Sequence, residues 1–158
     1  MKTPEERLAW ALDTCRLMKW RMTPVRRAML AFLAGRRLPA TLELIAGAGG
    51  VHGCCDATTV YRTLMMFKEA ELVRLVGTAH RHSFFLLNTP GESGHFLICR
   101  HCGEIAELKL PPDLAERMSR ISLGHGFAPT RQDHEIHGVC QKCQVRLQNK
   151  IVPAKLIA

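Results

Sequence analysis

The chain has 158 residues, 47% of them hydrophobic, with 22 Lys plus Arg against 14 Asp plus Glu and a formal net charge of +8. This is a globular composition, of a length for one domain or two small ones, and not that of a disordered or collagen-like chain. No uncharged apolar run reaches the roughly 18 residues of a membrane span, and the positive balance favours a polyanionic partner.

The opening MKTPEERLAW carries acids and lacks the apolar core of a secretory signal. The expectation is a cytoplasmic chain whose seven cysteines stay reduced. Thr3, Pro4 and Glu6 form a helix-starting capping box, followed by a stripe of Leu8, Leu12, Cys15 and Leu17 or Met18. Thr23 and Pro24 start a second helix, with Val25, Ala28, Met29, Phe32 and Leu33 at helical spacing and Gly35 as its stop. A short third helix is predicted over residues 41–48, ending at Gly49-Gly50. A fourth starts after the cap Asp56 and carries Val60, Leu64 and Phe67 on one face.

The period then shortens. Residues 72–76 and 83–87 read as two strands, and helices followed by a hairpin is the order of a winged helix-turn-helix. Residues 88–94 have linker composition. The predicted organisation is a winged-helix domain over 1–88, a hinge over 89–94 and a second domain over 95–158. In the second domain, strands are expected at 95–98, 104–108 and 133–139. A helix opens at Pro111-Pro112-Asp113, turns Leu114, Met118 and Ile121 inward and closes at Gly124. From Gln144 onward, helix and tail are both open.

Cys99-x-x-Cys102 and Cys140-x-x-Cys143 are the sharpest chemical signal. Two intervening residues let both sulfurs face one side of a tight turn, and two such turns close a tetrahedron around Zn²⁺ at about 2.3 Å. Four thiolates leave no open coordination position, so a structural role follows. A redox pair would instead need one such motif at a helix start.

Residues 16–37 hold Arg16, Lys19, Arg21, Arg26, Arg27, Arg36 and Arg37 with no acid, which suits phosphate contacts. Any one of them alone is better read as part of a solvated helix face, and it is the set that favours DNA. In Thr58-Thr59-Val60-Tyr61-Arg62-Thr63, the residues Thr59, Arg62 and Thr63 project off the apolar face. Arg reads guanine, and Thr and Tyr reach thymine methyls or phosphates. The remaining metal-capable groups are His80, His82, Glu92, His95, Glu107, His125, Asp133, His134 and His137. A hairpin around the first knuckle is expected to bring His95 near Glu107. Such a mixed N/O set suits Zn²⁺, Fe²⁺ or Mn²⁺.

The stretches R21-M-T-P-V-R-R-A-M-L30, T58-T-V-Y-R-T-L64, H95-F-L-I-C-R-H-C-G103 and E135-I-H-G-V-C-Q-K-C143 resemble the ferric uptake regulator family of metal-dependent transcription regulators. The resemblance implies an α+β chain, with an N-terminal winged helix-turn-helix followed by a small α/β dimerisation domain. It also implies a homodimer on an inverted-repeat operator in double-stranded DNA, and no enzymatic activity. By the same resemblance, structural zinc falls on Cys99, Cys102, Cys140 and Cys143. The family's recognition-helix motif falls on Thr59–Arg62, and together with the basic run the expected DNA contacts are Arg21, Thr23, Arg26, Arg27, Thr58, Thr59, Tyr61 and Arg62.

The chain departs from the family where a sensing ion would sit. Before the first knuckle it reads Gly91-Glu92-Ser93-Gly94-His95 in place of a His-rich run. The usual His before the third helix is replaced near Leu38-Pro39, and the one eight residues before the third cysteine is Gln132. Glu107 matches the family's acidic ligand. His80, His82 and His95 then complete the expected site for an exchangeable Zn²⁺, Fe²⁺ or Mn²⁺, with Glu92, Asp133, His134 and His137 left open. The segment Glu135–Cys140 looks most like the zinc-uptake branch. A peroxide-sensing regulator on the same fold is the alternative reading, and a zinc-dependent enzyme the rival class, although no H-E-x-x-H motif is present.

Overall fold

A computed structural model describes residues 2–79, 82–130 and 132–151. It divides into two units, Met1–Glu92 and Ser93–Ala158. Among the described residues no helix is long and apolar enough to cross a membrane.

The first unit opens with α1, Pro4–Leu17. Glu6 N–H donates to Thr3 Oγ1 at 3.2 Å and Thr3 N–H to Glu6 Oε2 at 2.7 Å, completing the expected capping box. The helix ends with Lys19 in the left-handed region (φ 54°). Lys19 N–H donates to Arg16 O and Trp20 N–H to Cys15 O, the double closure that satisfies the last carbonyls of a helix. Of the predicted stripe, Leu8 and Leu12 pack against the core and Cys15 is buried, but Leu17 and Met18 are not. Arg7, Ala11 and Cys15 are buried, whereas Leu17 is 84% exposed. Arg7 joins the buried face because it finds acceptors inside.

Helix α2 spans Pro24–Ala34 and is capped by Thr23, whose Oγ1 accepts from Arg26 N–H at 3.3 Å. Strand β1, Ala40–Thr41, runs into α3, Leu42–Ala46, and Thr41 caps it. Helix α4, Ala57–Glu69, starts at Asp56, whose Oδ1 accepts from Thr59 N–H at 2.6 Å. Val60, Leu64 and Phe67 are fully buried, as their spacing predicted. Each buried side chain of this kind contributes about 1.5–3 kcal/mol. Trp20 stacks on Phe67 with ring centroids 6.1 Å apart.

Strands β2, Val73–Ala79, and β3, His82–Leu87, form the hairpin. The antiparallel sheet has the order β1-β3-β2, with β1 paired through Ala40↔Phe85 and Thr41↔Phe84. Two residues carry no periodicity, so β1 had no sequence signal. Four helices with a three-stranded sheet make this a winged helix-turn-helix.

The expected linker is partly ordered. Thr89 is fully buried, and Arg7 Nε donates to its Oγ1 at 3.3 Å. Residues 89–92 therefore close the first unit instead of leaving it.

The second unit contains β4 (His95–Cys99), β5 (Ile105–Glu107), α5 (Pro112–Gly124), β6 (His134–Gly138) and α6 (Gln141–Ile151). The part of the C-terminal stretch that is described, to Ile151, is helical. The sheet order is β5-β4-β6, with β4 antiparallel to β5 and parallel to β6. A parallel partner requires a crossover, and α5 supplies it.

Ile121, expected to point inward, is 56% exposed. Leu97 and Ile136 are register partners on neighbouring strands and are exposed at 41% and 52%. Leu123, Phe127 and Val145 are exposed as well. A single copy of this unit leaves much of its apolar surface uncovered.

Candidate metal centre and nucleic-acid face

The two Cys-x-x-Cys turns come together. One ligand atom from each of Cys99, Cys102, Cys140 and Cys143 lies within 4.8 Å of all the others, and the Cys102 and Cys140 sulfurs are 3.6 Å apart. A zinc tetrahedron with 2.3 Å bonds has edges of about 3.8 Å, so the four sulfurs fit the ion. The first turn leaves β4 and the second leads into α6. Gly103 adopts φ 72°, a conformation costly for any residue with a Cβ, and its N–H donates to Cys99 O.

The electrostatics call for a cation. Burial raises the Cys99 thiol, but N–H groups of Cys140, Cys102 and His101 pointing at its sulfur outweigh that and hold it at about 6. The Cys143 N–H lowers Cys140, yet burial and the neighbouring Glu104, Cys102 and Cys99 push it up to about 12. Burial raises Cys143 too. Four sulfurs at this spacing cannot all ionise alone, and a divalent ion removes that conflict.

Within the second unit, the expected sensor residues His95 and Glu107 do not form a cluster. Among the described residues, the four cysteines are the one group of three or more metal-capable side chains at ligating distance. His80 lies outside the described residues. His82, at the start of β3, sits with Nδ1 3.4 Å from Glu43 Oε2. Glu43, on α3, was not singled out by its sequence context. Its carboxyl is held below its ordinary value chiefly by a backbone N–H, then by Thr41.

In the second unit Glu107 pairs with Phe96, and alternation places it on that face of β4, opposite to His95. The hairpin therefore does not bring the His95 and Glu107 side chains together. His95 instead meets His134, with Nδ1 atoms 3.0 Å apart. Glu92, left open as a ligand, is paired with Arg7 at 3.3 Å. Asp133 Oδ1 accepts from Gly94 N–H at 2.8 Å, and His137 lies 3.6 Å from Glu135. Gln132 is held by α5, its Nε2 donating to Ala115 O and Ser119 Oγ.

On the first unit, Thr58, Thr59, Tyr61 and Arg62 are exposed along the outer face of α4. Thr63 is not among them. It is buried, and its Oγ1 donates to Thr59 O at 2.9 Å. Its position one turn from Val60 and Phe67 puts it against the core. Arg21 and Arg27 are exposed, while Arg26 is half-buried and its Nη1 donates to Arg21 O at 2.7 Å. Thr23 is occupied as the α2 cap. No acid stands at the start of α2, so that helix start keeps its positive character, whereas the Asp56 carboxylate caps α4. Of the other thiols, Cys15 is buried, Cys54 exposed and Cys55 half-buried.

Residues 18–137 match the sequence model of the ferric uptake regulator family. The chain is 30% identical over 129 residues to the ferric uptake regulation protein of Synechococcus elongatus, covering 79% of this chain and 86% of that one. It is 31% identical over 135 residues to the peroxide operon regulator of Bacillus subtilis, covering 84% and 90%. Among solved structures it is similar to the Helicobacter pylori ferric uptake regulator, whose structure is described as revealing three functional metal binding sites. The TM-score is 0.71 at 18% identity, over 90% of this chain and 95% of that one, and this likeness speaks to the fold. The winged helix, the four-cysteine centre and the extent of these matches together place the chain in the ferric uptake regulator family.

Proposed function

We propose that this chain is a metal-dependent, DNA-binding transcription regulator and a repressor of metal-uptake genes in the sense of its family. It works as a cytoplasmic homodimer and performs no catalysis. The observation that carries the reading is the pairing of an exposed Thr58-Thr59-Tyr61-Arg62 row on α4 with a four-cysteine centre in the second unit.

Zinc at Cys99, Cys102, Cys140 and Cys143 would supply a cross-link between the first knuckle and the start of α6. The residues around it do the rest. Cys99 accepts Cys140 N–H at 3.3 Å, and Lys142 reaches Glu104 at 3.3 Å across the two turns. The exposed Leu97, Ile121, Ile136 and Phe127 support pairing of two copies through the second unit. In such a dimer, two α4 helices reach successive major grooves about one helical turn apart. For the exchangeable ion, the second unit offers His95, whose ring meets that of His134.

The test is fluorescence anisotropy with operator-bearing DNA, using protein that keeps its cysteine-bound zinc but is stripped of other ions. The reading expects tight binding only after addition of Zn²⁺, Fe²⁺ or Mn²⁺, with a steep salt dependence. Equal affinity with and without added metal would overturn it. The likeness to the Bacillus subtilis peroxide operon regulator favours a second reading, a peroxide sensor. After Fe²⁺ loading and peroxide treatment, an added oxygen on a histidine-bearing peptide would select it.

A further inference from the structure

We infer that His95 and His134 form a two-imidazole chelate for a six-coordinate, first-row divalent ion on the second unit. This rests on the metal-dependent reading above and names a ligand pair for its exchangeable ion.

The two residues are far apart in sequence but are direct register partners in the parallel β4/β6 ladder. Their side chains therefore leave the same face of the sheet. The rings lie 4.9 Å apart between centroids at 47°, and both residues are half-buried. The strands are braced at this point. Gly94 N–H donates to Asp133 Oδ1 at 2.8 Å, and His134 N–H donates to Gly94 O at 3.4 Å. The pair is thus set by backbone, not by flexible stems.

The facing atoms are Nδ1 of both rings, 3.0 Å apart. With metal–nitrogen bonds of about 2.1 Å, that separation subtends roughly 90° at the ion, the angle of adjacent octahedral positions, whereas a tetrahedral ion would need about 3.4 Å. Imidazole suits Fe²⁺, Co²⁺ and Ni²⁺ as well as zinc. A depression of about 250 Å³, lined by Ser93, His95, Ala115, Pro129, Thr130 and Gln132, opens beside His95 and gives room for water ligands. Gln132, on the same depression, is held by Ala115 O and Ser119 Oγ.

The test uses full-length protein with its cysteine-bound zinc in place, titrated with Co²⁺. Uptake is counted by elemental analysis, and the site is read from visible d–d absorption without sulfur charge-transfer bands. The wild-type chain is expected to take up one cobalt per chain. His95→Asn and His134→Asn, which keep hydrogen bonding but lose the imidazole, should each weaken uptake by about tenfold or more, since even outer partners of a metal ligand are worth about 10–100-fold. Unchanged zinc content and far-UV circular dichroism certify the fold, with His134→Gln as a second variant. Equal cobalt uptake by wild type and both variants overturns this inference and leaves the metal-dependent reading standing on other ligands. No uptake by the wild type overturns both.

Discussion

Arg7 and Glu92 meet with Nε 3.3 Å from Oε2, joining the first helix to the last residue of the first unit. The Arg7 side chain is 7% exposed. Its Nη1 also donates to Ala34 O at 2.8 Å and Arg36 O at 2.6 Å, carbonyls at the end of α2. Burial draws this guanidinium below its ordinary value and Glu92 opposes that shift. Arg7→Met leaves two carbonyls and one carboxylate without their donor. It is expected to destabilise the first unit by about 2–3 kcal/mol. Trp10 and Trp20 report this unit alone, so urea unfolding by fluorescence measures it. Glu92→Gln should cost less, because that carboxylate is partly exposed. An unchanged midpoint in Arg7→Met would remove the bracket from the fold's energetics.

Removal of the zinc centre should act on the second unit and spare the first. Cys143→Ser, or a strong chelator, is expected to lower helix content, expose apolar surface and convert dimer to monomer. Tryptophan fluorescence should be unchanged. Size-exclusion chromatography with light scattering checks the pairing, and a dimer persisting without zinc would contradict the prediction.

Arg62→Ala should weaken operator binding by about 1–3 kcal/mol while leaving binding to random DNA nearly unchanged. Arg27→Ala should weaken both alike and reduce the salt slope by about one. Anisotropy titrations on the two DNAs separate these roles, and equal losses for Arg62→Ala would make it a phosphate contact.

The cap of α4 predicts an acid-side dependence. Asp56 is held below its ordinary carboxyl value, first by the Thr59 N–H and then by other donors and Arg62. A carboxyl depressed in the folded state contributes stability above its unfolded value, near 3.9, and that contribution is lost as pH falls through the folded value. Asp56→Asn keeps an oxygen acceptor but removes the titration. Its thermal midpoint should therefore fall less than that of wild type below about pH 4, as read by tryptophan fluorescence.

Glu71 adopts φ 55° at the end of α4, where its N–H donates to Lys68 O and Leu72 N–H donates to Phe67 O. Only the conformation is required there, not the carboxylate. Glu71→Gly should stabilise the first unit by about 0.5–1 kcal/mol. A lower melting temperature would show that the side chain has a role of its own.

Local chemistry was legible in the residues themselves. Thr3, Thr23 and Asp56 each cap the helix that follows, because a short side-chain oxygen before a helical run has one favourable use. The two Cys-x-x-Cys turns announced a four-sulfur centre, because the spacing alone turns paired sulfurs to one side. Pairing decided what remained. The partner of His95 depends on the β4/β6 register, which places a residue 39 positions away beside it. The burial of Arg7 depends on acceptors at Ala34, Arg36, Thr89 and Glu92, contributed by two distant segments. Periodicity reports which face is apolar but not which remote group arrives to meet it, and the contacts that place a charge inside a core or two imidazoles side by side exist only once the chain has closed on itself.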